Sequence, residues 1–196
     1  MANNRVTKEA FKTALKEMLV EYPFTKISVK DIANHCGLSR NSFYYHFTDK
    51  YELVNWIFYS DMMKNVNTFQ DPSRLTESFV NVCKCLCAER EFYLSCFQYT
   101  GQNSLYETLY SLYFELWKMN LDMRYLESKI KLTDEELELM ANFNAHALVG
   151  IISDWVKNGM RNNYMEYFEK VRKLLEMEYF YLPIKEKIAD ASRLVS

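Results

Sequence analysis

Between Arg40 and Lys50 the run RNSFYYHFTDK gathers groups that suit a nucleic-acid duplex. Arg40 carries a planar guanidinium that pairs bidentately with guanine or binds phosphate. Asn41 matches adenine, and Ser42 reaches either a base edge or a phosphate. Tyr44 and His46 hold donors at the ends of flat rings and suit phosphate oxygens, and Lys50 offers a compact positive charge to another. Ser28 and Lys30 stand where a preceding helix begins, and the free N–H groups of a helix start attract a further phosphate.

Such groups read DNA only when a rigid element displays them together. At about 100° per residue, Phe43 and Phe47 share one side of a helix, while Asn41, Ser42 and Tyr45 take the other, with Arg40 and Tyr44 flanking them. The flanking signals agree. Ser28 caps one short helix, with Asp31 three residues on, and Val29, Ile32 and Ala33 form its inner side; Gly37 ends it and Ser39 caps the next. Two short helices joined by a tight glycine turn form a helix-turn-helix.

The apolar stripe Phe11, Leu15, Met18 and Tyr22 predicts a supporting helix over about Thr7 to Tyr22, closed by Pro23. A fourth helix, opening near Asp49 with Leu53, Val54, Ile57 and Phe58 along one side, runs to about Asn65 before the Asp71-Pro72 break. Domain boundaries follow: a DNA-binding head at 1–50, a connecting helix at 49–65, and a helical body at 66–196. In the body, Leu75, Phe79, Val82 and Leu86 share a stripe, an aromatic helix spans Leu105 to about Tyr125, and Gly101 separates two helices. Thr133 and Glu136 form a capping box for a helix to about Asn158, ended by Gly159. The final helix is expected from about Asn163 to Leu182, where Pro183 stops it, with Met165, Phe168, Val171 and Leu175 on one side and Tyr167, Leu174 and Tyr181 on another. That width suits contact with both its own domain and a second copy.

Composition points the same way. With 4 glycines and 3 prolines in 196 residues, the chain favours long helices over a turn-rich sheet. The expected fold is all-α: a three-helix helix-turn-helix domain and a C-terminal helical ligand-binding and dimerisation domain. The net charge of −2 divides unevenly, because residues 1–50 carry 8 Lys/Arg against 5 Asp/Glu, net +3, and the rest 16 against 21, net −5. A basic head on an acidic body suits phosphate contact at one end.

No secretory signal is recognisable, and Leu139 to Ser153, as long as any uncharged stretch in the chain, is too short to span a bilayer, so a cytoplasmic protein without membrane contact is expected. The five cysteines are expected as reduced thiols. Cys83, Cys85 and Cys87 are spaced so that a helix turns Cys85 away from the other two, which favours apolar packing over a metal site. No metal or cofactor is expected. With 3 histidines and no Gly-rich phosphate loop, His-Glu-x-x-His or Gly-x-Ser-x-Gly, no seat for catalysis is visible.

The stretch ISVKDIANHCGLSRNSFYYHFTDKYELV, residues 27–54, closely resembles the DNA-binding signature of TetR-type regulators. The resemblance rests on Asp31-Ile32-Ala33, the Gly37-Leu38-Ser39 turn, Phe43-Tyr44-x-His46-Phe47, and Lys50 with Leu53. It implies backbone-contact roles for Tyr44, His46 and Lys50, a place at the neighbouring groove wall for Ser28 and Lys30, and base-reading positions for Arg40, Asn41, Ser42 and Tyr45. Cys36 stands where the family commonly has a small residue and is expected to pack inside. The family pairs its last two long helices in a dimer bundle, which implies a homodimer on double-stranded DNA, and usually releases DNA when a small molecule binds the C-terminal domain. The run YYHFTDKYELVNWIF further resembles regulators found beside dihydroxyacetone kinase genes, some of which answer to a protein co-regulator and activate transcription.

The effector is therefore expected to be a small molecule or a protein, and Phe97, Tyr110, Trp117 and His146 are the candidate lining of a ligand site. The competing possibility is a helical interaction module that keeps the fold without binding an operator.

Overall fold

The computed structural model describes residues 2–65, 75–126, 132–161 and 163–176. Among them the regular elements are nine α-helices and one 3-10 turn. Residues 1–161 form one compact unit, and the last helix belongs to a second. No helix of the described residues is long and apolar enough to cross a membrane.

Residues 2–65 hold four helices, α1 (Ala2–Met18), α2 (Val29–His35), α3 (Arg40–Tyr44) and α4 (Lys50–Asn65), with the 3-10 turn Phe24–Lys26 between α1 and α2. Phe11 and Leu15 of α1 are buried, as are Phe24, Ile32, Phe43, Phe47, Leu53 and Ile57, and the Phe11 ring packs on Phe43 and Phe47. α1 starts earlier than its stripe suggests and stops at Met18 rather than Tyr22. Beyond Met18 the chain tightens into three-residue turns, Val20 N–H to Glu17 O and Glu21 N–H to Met18 O. Val20 is 85% exposed and Tyr22 53%, so no burial rewards continuing the helix.

Local chemistry sets the two short helices. Ser28 accepts from Asp31 N–H while the Asp31 carboxylate accepts from Ser28 N–H, a reciprocal cap for α2. At its other end Gly37 adopts φ 69°, Gly37 N–H donates to Asn34 O and Leu38 N–H to Ala33 O. This αL closure satisfies two end carbonyls and needs a residue without Cβ strain. Ser39 then caps α3 through Ser42 N–H.

The body continues as α5 (Leu75–Ala88), α6 (Arg90–Cys96), α7 (Leu105–Leu126) and α8 (Asp134–Lys157). Phe79, Val82 and Leu86 are buried along α5 as their spacing predicts, while α6 is an extra short helix ahead of Gly101. The Thr133–Glu136 capping box opens α8, and Gly159 (φ 80°) closes it, with its carbonyl accepting from Arg90 Nε and Nη2 at 3.2 and 2.9 Å. Cys83 and Cys85 are both buried free thiols and Cys87 is half-buried, so α5 is covered more broadly than an alternation of the three cysteines suggests. In the second unit, α9 (Tyr164–Glu176) carries an exposed Glu166–Lys170 pair. Its expected run to Leu182 and Pro183 lies outside the described residues, as does the Asp71-Pro72 break.

One feature of the interior has no local signature. Lys12 Nζ lies 2.5 Å from Asp61 Oδ1, and Lys16 Nζ lies 3.7 Å from Asp61 Oδ2 and 2.8 Å from Glu89 Oε1. Tyr93 donates its hydroxyl to the same Asp61 carboxylate at 3.5 Å. This network ties α1 to α4 and α6 with two cations balanced by two carboxylates.

Candidate nucleic-acid interface

α3 has the two sides that groove insertion requires. Phe43 and Phe47 are buried, with the Phe43 ring edge-on to Phe11 at 5.1 Å and tilted against Phe47 at 5.6 Å. Arg40, Asn41, Tyr44 and Tyr45 are exposed, Tyr45 to 80%, and Ser42 is half-buried, with its N–H donating to the Ser39 cap. The Arg40 guanidinium sits over the Tyr44 ring, 5.8 Å from its centre, and donates to the phenol oxygen at 3.4 Å. Stacking on a ring orients the planar fork and limits its rotamers before any partner arrives.

His46 is half-buried beside Phe11, Tyr45 and Phe47. Burial, and after it the charge of Lys8, pull its pKa below the usual histidine value. At neutral pH the ring is uncharged, so it can give an N–H to a phosphate oxygen without bringing a positive charge. Ser28 and Lys30 are exposed at the start of α2. The Ser28 hydroxyl also donates to Asp31 Oδ2 at 2.6 Å, and these bonds hold the Asp31 carboxyl below the usual range.

Lys50 departs from the expected display. Its ammonium donates to Phe24 O and Ile27 O, both at 2.7 Å, and lies 4.6 Å from the centre of the Phe24 ring. Burial pulls its pKa down. The side chain thus turns inward, not outward beside Tyr44 and His46, and ties the start of α4 to the 3-10 turn below α2. Lys50→Met is expected to leave those carbonyls unpaired and to lower stability by about 1–3 kcal/mol. Urea unfolding checks this, and an unchanged midpoint would return the ammonium to an outward role.

Cys36 is half-buried, not fully inside; its thiol donates to Ile32 O at 3.3 Å and burial raises its pKa. An open cleft between the end of α1 and α2, lined by Glu17, Met18, Glu21, Tyr22, Lys26, Ile27, Asp31 and His35, is more acidic than basic and unsuited to phosphate.

Two family models match the chain. Residues 13–57 match the model described as bacterial regulatory proteins, tetR family, and residues 73–177 match that described as transcriptional regulator C-terminal region. The chain belongs to the TetR family. It is a DNA-binding transcription regulator with a helix-turn-helix.

Among TetR-family relatives, the HTH-type dhaKLM operon transcriptional activator DhaS of Lactococcus lactis subsp. lactis (strain IL1403) is 23% identical over 180 residues, 89% of this chain and 91% of the relative. The fold is similar to that of the dihydroxyacetone kinase operon activator DhaS, with TM-score 0.62, 21% identity, and coverage of 88% of this chain and 96% of that one. NalD, the secondary repressor of the MexAB-OprM multidrug efflux pump in Pseudomonas aeruginosa, has TM-score 0.60 at 18% identity, covering 87% and 94%. The fatty acid degradation regulator FadR from Bacillus halodurans has TM-score 0.58 at 15%, covering 86% and 94%.

The body's four candidate ligand residues separate by exposure. Phe97 and Trp117 are buried. His146 is exposed; its ring stacks on Tyr110 at 4.4 Å, with the Tyr106 hydroxyl 3.5 Å from Nδ1. α8 buries Ala145, Leu148 and Val149 and turns the next position along the helix outward.

Between head and body, the Tyr51 and Tyr99 rings stack at 3.9 Å, Asn103 Nδ2 donates to Asp49 Oδ2 at 3.1 Å, and Asn55 Nδ2 donates to Asn103 O at 3.1 Å. Asn103 holds φ 61°. These contacts join the start of α4 to the α6–α7 connection, so a shift of α6 or α7 has a physical route to the helix-turn-helix. Sequence reasoning missed them, because nothing local in Tyr99 or Asn103 points to a partner some fifty residues earlier.

Proposed function

We propose that this TetR-family chain is a cytoplasmic, sequence-specific regulator that binds a pseudo-palindromic operator as a homodimer through its 1–50 head. A small-molecule or protein effector controls it through the body, residues 66–196. The observation that carries the reading is the outward set Arg40, Asn41, Tyr44 and Tyr45 on a helix anchored by buried Phe43 and Phe47. Ser42, Arg40, Asn41 and Tyr45 read bases, while Tyr44, His46, Ser28 and Lys30 hold phosphates. Lys50 contributes by fixing the start of α4.

The surface of α8 supports the dimer. Leu139 is 69% exposed and Phe143 65%, and Ala147 and Gly150 continue the same helical side. An apolar stripe of this kind on a soluble helix marks a surface that another protein covers. A relative named as an operon activator and a structural neighbour named as a repressor share the fold, so either sign of regulation is compatible with it.

The test is selection of bound sequences from random duplex DNA at two salt concentrations. A two-fold symmetric site should be enriched, with affinity falling as salt rises. Arg40→Ala is expected to change the preferred base at one position per half-site, at a discrimination of about 1–3 kcal/mol, whereas Tyr44→Phe should weaken all sites alike. A folded dimer that enriches nothing would make the chain an interaction module instead.

A further inference from the structure

Four cations stand on α1: Arg5, Lys8, Lys12 and Lys16. Lys12 and Lys16 are taken up by Asp61 and Glu89. Lys8 is half-buried and forms no ion pair with a carboxylate of the described residues. Its Nζ lies instead 5.1 Å from the centre of the Phe47 ring and 5.6 Å from that of Trp56. Two aromatic faces hold the ammonium in place without neutralising it, so its charge stays available to a partner.

His46 leans on the same Phe47 ring, 6.3 Å centre to centre, and stands edge-on to Tyr45 at 5.0 Å. A continuous line of side chains thus runs from the exposed Tyr45 through His46 and Phe47 to Lys8. Burial acts first on the imidazole and the Lys8 charge second, both pulling its pKa down, which places the ammonium within electrostatic reach of the ring. A neutral imidazole gives an N–H to a phosphate but brings no countercharge. Lys50, the cation nearest to His46 in sequence, is held by the Phe24 and Ile27 carbonyls. The carboxylates that follow His46 are engaged as well: Asp49 accepts from Tyr51 N–H and Glu52 N–H, and Glu52 from Thr48 N–H. Lys8 supplies the positive charge that this part of the surface otherwise lacks.

We propose that Lys8 is a DNA-contact residue of this chain: its ammonium, seated on Phe47 and Trp56, and the His46 N–H together clamp one backbone phosphate, so that α1 touches the duplex beside the recognition helix. The proposal rests on the reading of α3 as the helix that enters the groove. A phosphate contact carries no sequence information, and its work here is to fix the register in which Tyr45 and its neighbours meet the bases.

The test compares the full chain with Lys8→Met, which keeps an apolar stem on the two rings and removes the charge, and with Lys8→Arg, which keeps the charge. Fluorescence anisotropy measures affinity for a duplex from the selection and for an unrelated duplex, at about 50 and 200 mM salt. Losing one phosphate contact lowers the log–log salt slope by about 0.9, so between those concentrations the unaltered chain should lose about 3.5-fold more affinity than Lys8→Met does. Lys8→Met should weaken both duplexes by the same factor, and Lys8→Arg should keep the slope. In NMR titrations the His46 pKa should rise when Lys8→Met removes the neighbouring charge, and should rise in the unaltered chain when DNA brings a phosphate to the ring. An unchanged salt slope in Lys8→Met would overturn the proposal; if the urea midpoint fell as well, the ammonium would be a support for the two rings alone. A His46 pKa that stays constant when DNA binds would overturn it too. The two readings fail separately. A chain that selects an operator but shows no Lys8 effect rejects the clamp alone, one that binds both duplexes equally with the Lys8 effect intact rejects operator recognition alone, and one that binds neither rejects both.

Discussion

Phe43→Ala is expected to abolish operator selection and to lower stability by about 3–5 kcal/mol. The ring is fully buried and packs edge-on against Phe11 and tilted against Phe47. α3 spans only Arg40–Tyr44, far too short to persist by its own hydrogen bonds. Its orientation therefore depends on the two phenylalanines beneath it and the Ser39 cap above. Removing the Phe43 ring leaves a cavity under Arg40 and Asn41, so the loss of DNA binding should exceed that of any single displayed residue. Circular dichroism with urea unfolding measures the stability term, and fluorescence anisotropy on the selected operator measures the binding term. Retention of both within a factor of two would mean that the Ser39 cap and the Phe47 ring hold α3 unaided.

The second large effect is expected at Asp61. Its carboxylate faces Lys12 at 2.5 Å and Lys16 at 3.7 Å, with side-chain exposures of 13% for Asp61 and 10% for Lys12. Asp61→Asn removes the charge that makes two shielded ammonium groups tolerable. Breaking one partner of such a pair costs about 3–5 kcal/mol, whereas replacing both by apolar groups is far milder. Asp61→Asn should thus shift the urea midpoint strongly downward, and Lys12→Met with Asp61→Leu should recover most of the loss. Because the network joins α1 of the head to α4 and α6, the single variant should also loosen operator binding. Strictly additive single and double variants would show that Lys12 and Asp61 do not act as a unit.

How far each feature was legible follows from the reach of the interactions that create it. The caps at Ser28, Ser39 and Thr133 and the closures at Gly37 and Gly159 involve residues three to five apart, so the chain announces them. The division of α3 into Phe43 and Phe47 beneath and Arg40, Asn41 and Tyr45 above follows from the helical period in the same way. The end of α1 was overrun because Tyr22 continues the apolar period, yet the fold offers nothing to cover it.

Lys50 and His146 show the other side. Both residue types suit the roles first given to them. The Lys50 ammonium is claimed by carbonyls 26 and 23 residues earlier, and His146 sits just past the covered edge of α8. Neither fact has a local period. The Lys12–Asp61 pair spans 49 residues, and the Asn103–Asp49 bond 54.

By itself, the sequence determined an all-α chain with a helix-turn-helix and the residues its recognition helix can offer, because helical period, caps and glycine turns act within one or two turns of chain. The tertiary structure alone decided which cations face outward, which polar groups are buried together, and how the head is joined to the body. Those outcomes depend on burial and charge pairing between segments far apart in sequence, and folding alone brings them together.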